Sequence, residues 1–512
     1  MMMTFREEEV DDTEEDIFGG SDGGSGSRTG ASGGTGPAGP LVPATPGMPV
    51  TPGAPTQPVT TPPPTTSRML TSKPSSPPTT PTTTSTSKIT TTTSTPRITT
   101  TSIPTTTVDP NTKRPLPLDA LICTLESPFR RDLLGVPPDG LCTIVVAYPF
   151  YEPFDLELFP TKYYSFRHFD VIVENAGKQN KTEFGIGITY KFCKSIANMT
   201  ELANNPMTKT TLDYLWTKRF YHYGQVNPPL ANYGGTIQDV NVNCAKGLQM
   251  LFDLMKDKHD NVNRPSYIIL SFPLYAPGNF PAIGQALRNL SVDIFIAVGY
   301  HSYGDNYFVN CRMVSPTMLN KQLLPPDIYS IYSVRLAEVM SSLTVNPAAW
   351  TPTTSFAVSV GMEGRWYKPK DRDYDPNGPG NYQLGKPCTN ELPLGFTKQT
   401  SDILWACRNH GYNKTFKIDQ TFQAMVGYDK QFGFLFTFDT AETLRSKLCE
   451  AKSTAPAAKF YIAAAAIGAE DHVNACGFGA LTRLRMLKAL TYFFAYNYTS
   501  AAQKSACLLV NP

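Results

Sequence analysis

The chain has 512 residues and a formal net charge of +2. That length exceeds one ordinary domain of ~100–200 residues, although α/β barrels run larger. The near-neutral charge, with no basic stripe, argues against a nucleic-acid partner, and no run of ~18 consecutive apolar residues offers a transmembrane helix.

Composition divides the chain. Residues 1–18 are acidic, with Glu7, Glu8, Glu9, Asp11, Asp12, Glu14, Glu15 and Asp16. Residues 19–40 are rich in Gly and Ser, and 41–116 in Thr, Pro and Ser. Neither stretch holds the apolar content that offsets chain entropy, so disorder is expected over 1–40 and an O-glycosylated, mucin-like stalk over 41–116. A bare flexible linker is the plainer alternative. The opening "MMMTFREEEVDD" has neither the basic start nor the apolar core of a signal peptide. Either export takes another route or the true N-terminus is missing; the second is favoured.

From residue 117 to 512, aromatic and aliphatic residues dominate. All ten cysteines lie here, between Cys123 and Cys507, with no C-x-x-C pair. Five N-x-[ST] sequons, at Asn180, Asn198, Asn289, Asn413 and Asn497, lie here too. With the stalk, they favour a secreted protein over a cytosolic one with free thiols. The six histidines show no metal-ligand spacing, and no G-x-G-x-x-G or P-loop is present, so neither metal nor cofactor is expected.

Strand-like runs follow in order: "CTIVVAYPFY" (142–151), "EFGIGITY" (183–190), "TIQDVNVN" (236–243), "SYIILSF" (266–272), "DIFIAVGY" (293–300), "SFAVSVGM" (355–362) and "KFYIAAAAI" (459–467). "TIQDVNVN" is read as a strand because its polar and apolar residues alternate. A helix follows it, with Leu248, Leu251, Phe252 and Met255 on one face. Asp439, with Glu442 three residues on, reads as a helix cap. Leu481, Leu484, Leu487 and Leu490 mark a last amphipathic helix. Repeated strand–helix units with apolar strands imply a parallel sheet covered by helices. About eight strands over ~390 residues suit a (β/α)8 TIM barrel with insertions; an open doubly wound sheet is the alternative.

These blocks resemble glycoside hydrolase family 18, the chitinases. "DIFIAVGYHSYG" resembles its sixth strand, "SFAVSVGMEGRWY" its seventh, and "TFDTAETLRSKLCEAK" the helix before its eighth. "CTLESPFRRDLLGVPPDGLCTIVVAYPFY" resembles the family's opening, including a Cys pair that forms a disulfide, here Cys123 and Cys142. The stalk in front is similar to that of secreted arthropod chitinase-like proteins.

The resemblance also implies a site. The family carries D-G-x-D-x-D-x-E on strand four, where Glu protonates the leaving oxygen while the substrate's own acetamido group attacks. Laid on "TIQDVNVN", the motif matches Thr236 to the first Asp, Asp239 to the second, Asn241 to the third and Asn243 to the Glu. Tyr300 keeps a strand-six Tyr, His301 stands where Asp is expected, Glu363 where Tyr is expected, and Ala465 where a Trp would stack a sugar. The expectation is a catalytically inactive chitinase-like glycoprotein with a degenerate cleft. It would bind chitin or other N-acetylglucosamine-containing glycans weakly, or serve a structural role. The alternatives are an active glycosidase with a rearranged acid pair, Asp239 and Glu363, and a pure scaffold acting through loops or glycans.

Overall fold

The computed structural model describes residues 115–126, 136–152, 156–159, 167–226, 237–261, 265–274, 278–301, 311–320, 334–371, 378–396 and 398–512. The acidic, Gly/Ser-rich and stalk expectations over 1–114 lie outside them, as does Thr236.

Eight parallel strands close into a barrel: β1 (Leu121–Glu126), β2 (Ile144–Tyr148), β3 (Glu183–Gly187), β4 (Phe220–Gln225), β5 (Ile268–Pro273), β6 (Ile294–Val298), β7 (Ser355–Gly361) and β8 (Tyr461–Ala465). Each pairs with its sequence neighbour, and β8 pairs back onto β1, with Ile122 opposite Ala463. The strands are short, apolar runs rich in β-branched residues because both faces are covered. Ile122, Ile144, Val146, Ile269, Ile294, Ile296 and Ala463 fill the interior. Leu125, Val145, Phe184, Leu270 and Phe295 face outward into the larger core shared with the helices.

Those helices include Arg167–Ala176, Pro206–Thr217, Ile237–Asp253, Asn279–Leu287, Ala441–Thr454 and Thr482–Tyr496. The last buries Leu484, Leu487 and Leu490, as expected. Between β7 and β8 a second, antiparallel sheet is inserted, built from Gly364–Pro369, Cys388–Thr389, Thr400–Ser401, Lys417–Asp419, Ala424–Asp429 and Phe434–Phe438. Trp366 is its fully buried centre, packed on Phe436 and Trp405.

All ten cysteines are paired: Cys123–Cys142, Cys193–Cys244, Cys311–Cys388, Cys407–Cys476 and Cys449–Cys507. The first is the pair that the resemblance implied. No helix among the described residues is long and apolar enough to cross a membrane.

Two expectations are corrected. "TIQDVNVN" is not a strand: from Ile237 onward it is the first half of the helix Ile237–Asp253. Asn241, Cys244, Ala245, Leu248 and Leu251 are buried at helical spacing, and Cys244 ties this helix to Cys193. Over eight residues the alternation imitated a strand, whereas the longer 3.6-residue period decided the structure. The helix after β7 is capped one residue later than expected. Thr440 Oγ1 accepts from Thr443 N–H at 3.3 Å, and Thr443 Oγ1 accepts from Thr440 N–H at 2.9 Å. Asp439 is displaced from that role: its carboxylate receives Lys447 Nζ at 2.5 Å, both side chains being fully buried.

Candidate functional site

Alternation along each strand sends every second side chain into the barrel. On β1 these are Ile122, Thr124 and Glu126, so Glu126 emerges at the C-terminal mouth. Tyr148 ends β2 and shares a hydrogen bond with Thr124. Thr124 Oγ1 also accepts from Ala466 N–H at 3.0 Å, which ties β1 to the end of β8. Tyr300 follows β6, and Glu363 follows β7.

Two glycines give the tyrosines room. A Cβ on Gly187 would lie 2.4 Å from the Tyr148 Cβ, and one on Gly361 would lie 2.7 Å from Tyr300 Cδ2. The Tyr300 ring packs with Val298, Val334 and Ala465, so the Ala465 methyl contributes to the wall on which Tyr300 rests.

Across this mouth reaches Lys398, from the inserted sheet. Its Nζ lies 3.2 Å from Glu126 Oε2 and 3.2 Å from Glu363 Oε1. The flanking chain is fixed: Phe396 packs on Trp366, and Gln399 C=O accepts from Trp366 N–H at 2.8 Å. The Lys398 side chain retains 41% of its exposure and that of Glu126 37%, so solvent reaches the group. Tyr148 and Tyr300 beside it are buried.

Electrostatics follow from this crowding. Partial desolvation at the barrel mouth raises Glu126 from its ordinary value; Lys398 pulls it down, and Glu363 pushes it up again. Burial alone would lower Lys398, but Glu363 and Glu126 together hold it well above an ordinary lysine. Burial pushes both tyrosines far up, and the two carboxylates add to the effect. The mouth is therefore an ammonium clamped between two carboxylates, with two un-ionised phenols beside it.

Of the residues expected at a cleft, the structure brings Tyr300, Glu363 and Ala465 together at the ends of β6, β7 and β8. His301 is adjacent in sequence but buried in a structural role. Its N–H donates to Pro316 C=O at 2.9 Å, and its C=O accepts from Arg365 Nη1 at 3.0 Å. Burial, then Arg365 and Arg335, press its ring well below the usual histidine range.

The other expected members are elsewhere. Asp239, Asn241 and Asn243 lie on the helix after β4, not on a barrel strand. Asn243 Nδ2 donates to Lys194 C=O at 2.9 Å, and Asn241 is buried. The rearranged pair of Asp239 with Glu363 is thus replaced by a different neighbour for Glu363, namely Glu126.

The strand in fourth place, β4, directs His222, Gly224 and Val226 inward. Gly224 faces Val146 of the interior, and Val226 belongs to the interior cluster. No Asp or Glu occurs from Arg219 to Asn227. His222 Nδ1 accepts from Tyr267 N–H at 3.2 Å, which places its proton on Nε2, 3.3 Å from Glu183 Oε2.

Sequence reasoning missed Glu126, Tyr148, Lys398 and β4 itself. "FYHYGQ" mixes aromatic and polar residues and lacks an aliphatic run. Its signal was indirect: some 80 residues between β3 and β5 must hold a strand as well as helices. Of the sequons, Asn180, Asn289, Asn413 and Asn497 are exposed, and Asn198 is half-buried in the helix Ile196–Asn204.

No established family profile matches the sequence, and no curated protein does. Solved structures do match. The Group IV chitinase of Ostrinia furnacalis, in complex with allosamidin, aligns with a TM-score of 0.50 at 12% identity, over 73% of this chain and 99% of that one. A family GH18 chitinase from Cycas revoluta, also with allosamidin, aligns at 0.48 and 13%, over 73% and 99%. A glycoside hydrolase family 18 N-acetylglucosaminidase from Paenibacillus barengoltzii aligns at 0.47 and 11%, over 72% and 98%. Identity this low speaks to architecture and not to chemistry: the chain has the (β/α)8 barrel fold of the family 18 chitinases.

Proposed function

We propose that this is a chitinase-like barrel that does not hydrolyse glycosides, held in the extracellular space, with at most weak affinity for chitin-type glycans. The observation that carries the reading is the interior face of β4. Strand four is where the family to which the barrel is likened keeps its proton donor, and here it offers His222, Gly224 and Val226. Without a carboxylic acid at that place, general-acid catalysis, typically worth ~10²–10⁴-fold, has no donor. Ala465 supports weak binding, because a methyl cannot replace the face of an aromatic ring. Five disulfides support an oxidising compartment.

A second reading has one observation in its favour. Glu126 and Glu363 stand at the C-terminal mouth, where barrels of this kind place catalytic groups, and Glu126 holds its proton more tightly than an ordinary carboxylate. Against it, Lys398 is paired with both.

Calorimetric titration of chitohexaose into the enzymatically deglycosylated chain tests the reading, since bound heat reports affinity and a sustained heat flow reports hydrolysis. The expected result is millimolar affinity or weaker, with no sustained heat. Micromolar affinity lost in Tyr300→Ala would make the protein a lectin. Sustained heat lost in Glu126→Gln would establish the second reading.

A further inference from the structure

The barrel mouth already displays one kind of guest. The ammonium of Lys398 sits between two carboxylates that reach it from different strand ends. Its Nζ donates to Glu126 Oε1 and Oε2 at 3.4 and 3.2 Å and lies 3.2 Å from Glu363 Oε1. With both carboxylates ionised, the three side chains carry one net negative charge, so the place favours a cation over a neutral group. Lys398 reports that preference: the two glutamates hold its ammonium charged well beyond an ordinary lysine.

The ammonium is also the exchangeable part of the group. The backbone beside it is pinned, since Phe396 packs on Trp366 and Gln399 C=O accepts from Trp366 N–H at 2.8 Å. The Lys398 side chain is not enclosed: it is 41% exposed, and Glu126 is partly exposed as well. An ion pair this open to water contributes little to stability, so turning the Lys398 side chain into solvent costs little and uncovers both carboxylates. Charge then decides what takes its place. An ammonium on a ligand restores the balance and brings three donors. An acetamide brings one neutral N–H and leaves two neighbouring carboxylates without a cation.

We propose that the barrel mouth is a site for the primary ammonium of a de-N-acetylated amino sugar, and that Lys398 holds the place of that ammonium until such a ligand arrives. The proposal rests on the reading of the barrel as a non-hydrolysing, chitin-type glycan binder, and it gives a reason for weak affinity toward N-acetylated sugars. Lys398 is a tethered competitor, and only a cationic ligand displaces it without loss of charge balance.

Calorimetric titration of the full chain with a glucosamine trisaccharide and with its fully N-acetylated counterpart, in slightly acidic buffer where the sugar amines are charged, tests the proposal. The glucosamine trisaccharide should bind at least about tenfold more tightly, the difference between a charged and a neutral hydrogen-bonded group. Lys398→Met should tighten it further, because the competitor is gone, and Glu126→Gln and Glu363→Gln should each reduce the preference. Equal affinities, or tighter binding of the N-acetylated sugar, overturn the proposal. So does a preference that survives unchanged in both glutamate variants, as attraction to the acidic run of residues 1–18 would give. Where a glutamate variant does not fold, Lys398→Met decides, since it alters an exposed side chain: weaker or unchanged glucosamine binding there overturns the proposal. Sustained heat flow with either sugar overturns the non-hydrolysing reading, whereas the two affinities judge the amino-sugar site itself.

Discussion

Glu126 and Lys398 set the character of the barrel mouth, and both bind their protons more tightly than ordinary side chains of their kind. A raised carboxyl pKa means that the folded chain binds that proton more tightly than the unfolded chain does. The stabilising contribution is therefore complete below the ordinary value of 4.5 and is lost as pH rises through the raised value. Glu126→Gln removes this dependence. Relative to the variant, the wild type should lose melting temperature as pH climbs above the ordinary 4.5; a constant offset between the two curves would contradict the assignment. Lys398 carries a consequence of the same sign in a different pH window. Its stabilising contribution is complete below the ordinary 10.5 and is lost only above it. The buried pair Lys447–Asp439 is a sharper case, because both side chains are wholly enclosed. Lys447 Nζ also donates to Thr317 C=O at 2.6 Å, so the pair joins the helix Ala441–Thr454 to the segment after β6. Lys447→Met leaves Asp439 buried without its cation and should cost about 3–5 kcal/mol in urea unfolding. Replacing Asp439 with Leu in that background should recover much of the loss.

At the scale of elements, the helix Ile237–Asp253 shows how sequence pattern and structure parted. Six of the seven strand-like runs read from the sequence are dominated by apolar residues, and those became barrel strands. "TIQDVNVN" had only alternation in its favour, and Asn241, Cys244 and Leu248 were already in phase for a helix. The true fourth strand was hidden because His222, Gly224 and Gln225 break its apolar run while its aromatic residues face the helices. Glu126 was equally hard to find. A carboxylate at the end of a strand has no local signature, and its partner Lys398 lies 272 residues away. Tyr300, Glu363 and Ala465 were legible because strands six to eight read clearly and each residue stands at a strand end. The disulfide Cys193–Cys244 clamps the corrected helix across a separation of 51 residues. Replacing both cysteines with Ser should lower stability by about 2–5 kcal/mol. Thermal unfolding beside wild type measures it, and an unchanged midpoint would show that packing alone holds the helix.

Across the whole molecule, a shared fold and an altered mouth point in different directions. The closed parallel barrel, the inserted sheet after β7 and five disulfides make a stable framework. Fold alone does not carry an activity, so function turns on what the interior faces present at the C-terminal ends of the strands. There the chain offers no acid on β4, a methyl at the end of β8, and two glutamates held by one lysine. The central claim is that this barrel lacks a working proton donor. The most direct measurement is release of fluorophore from a chitotrioside substrate by the full chain between about pH 4 and pH 8, beside an active chitinase and with Glu126→Gln and Glu363→Gln in parallel. The account predicts release no faster than the substrate's own hydrolysis at every pH, and the same rate in both variants. Turnover well above that background which disappears in either glutamate variant would contradict it.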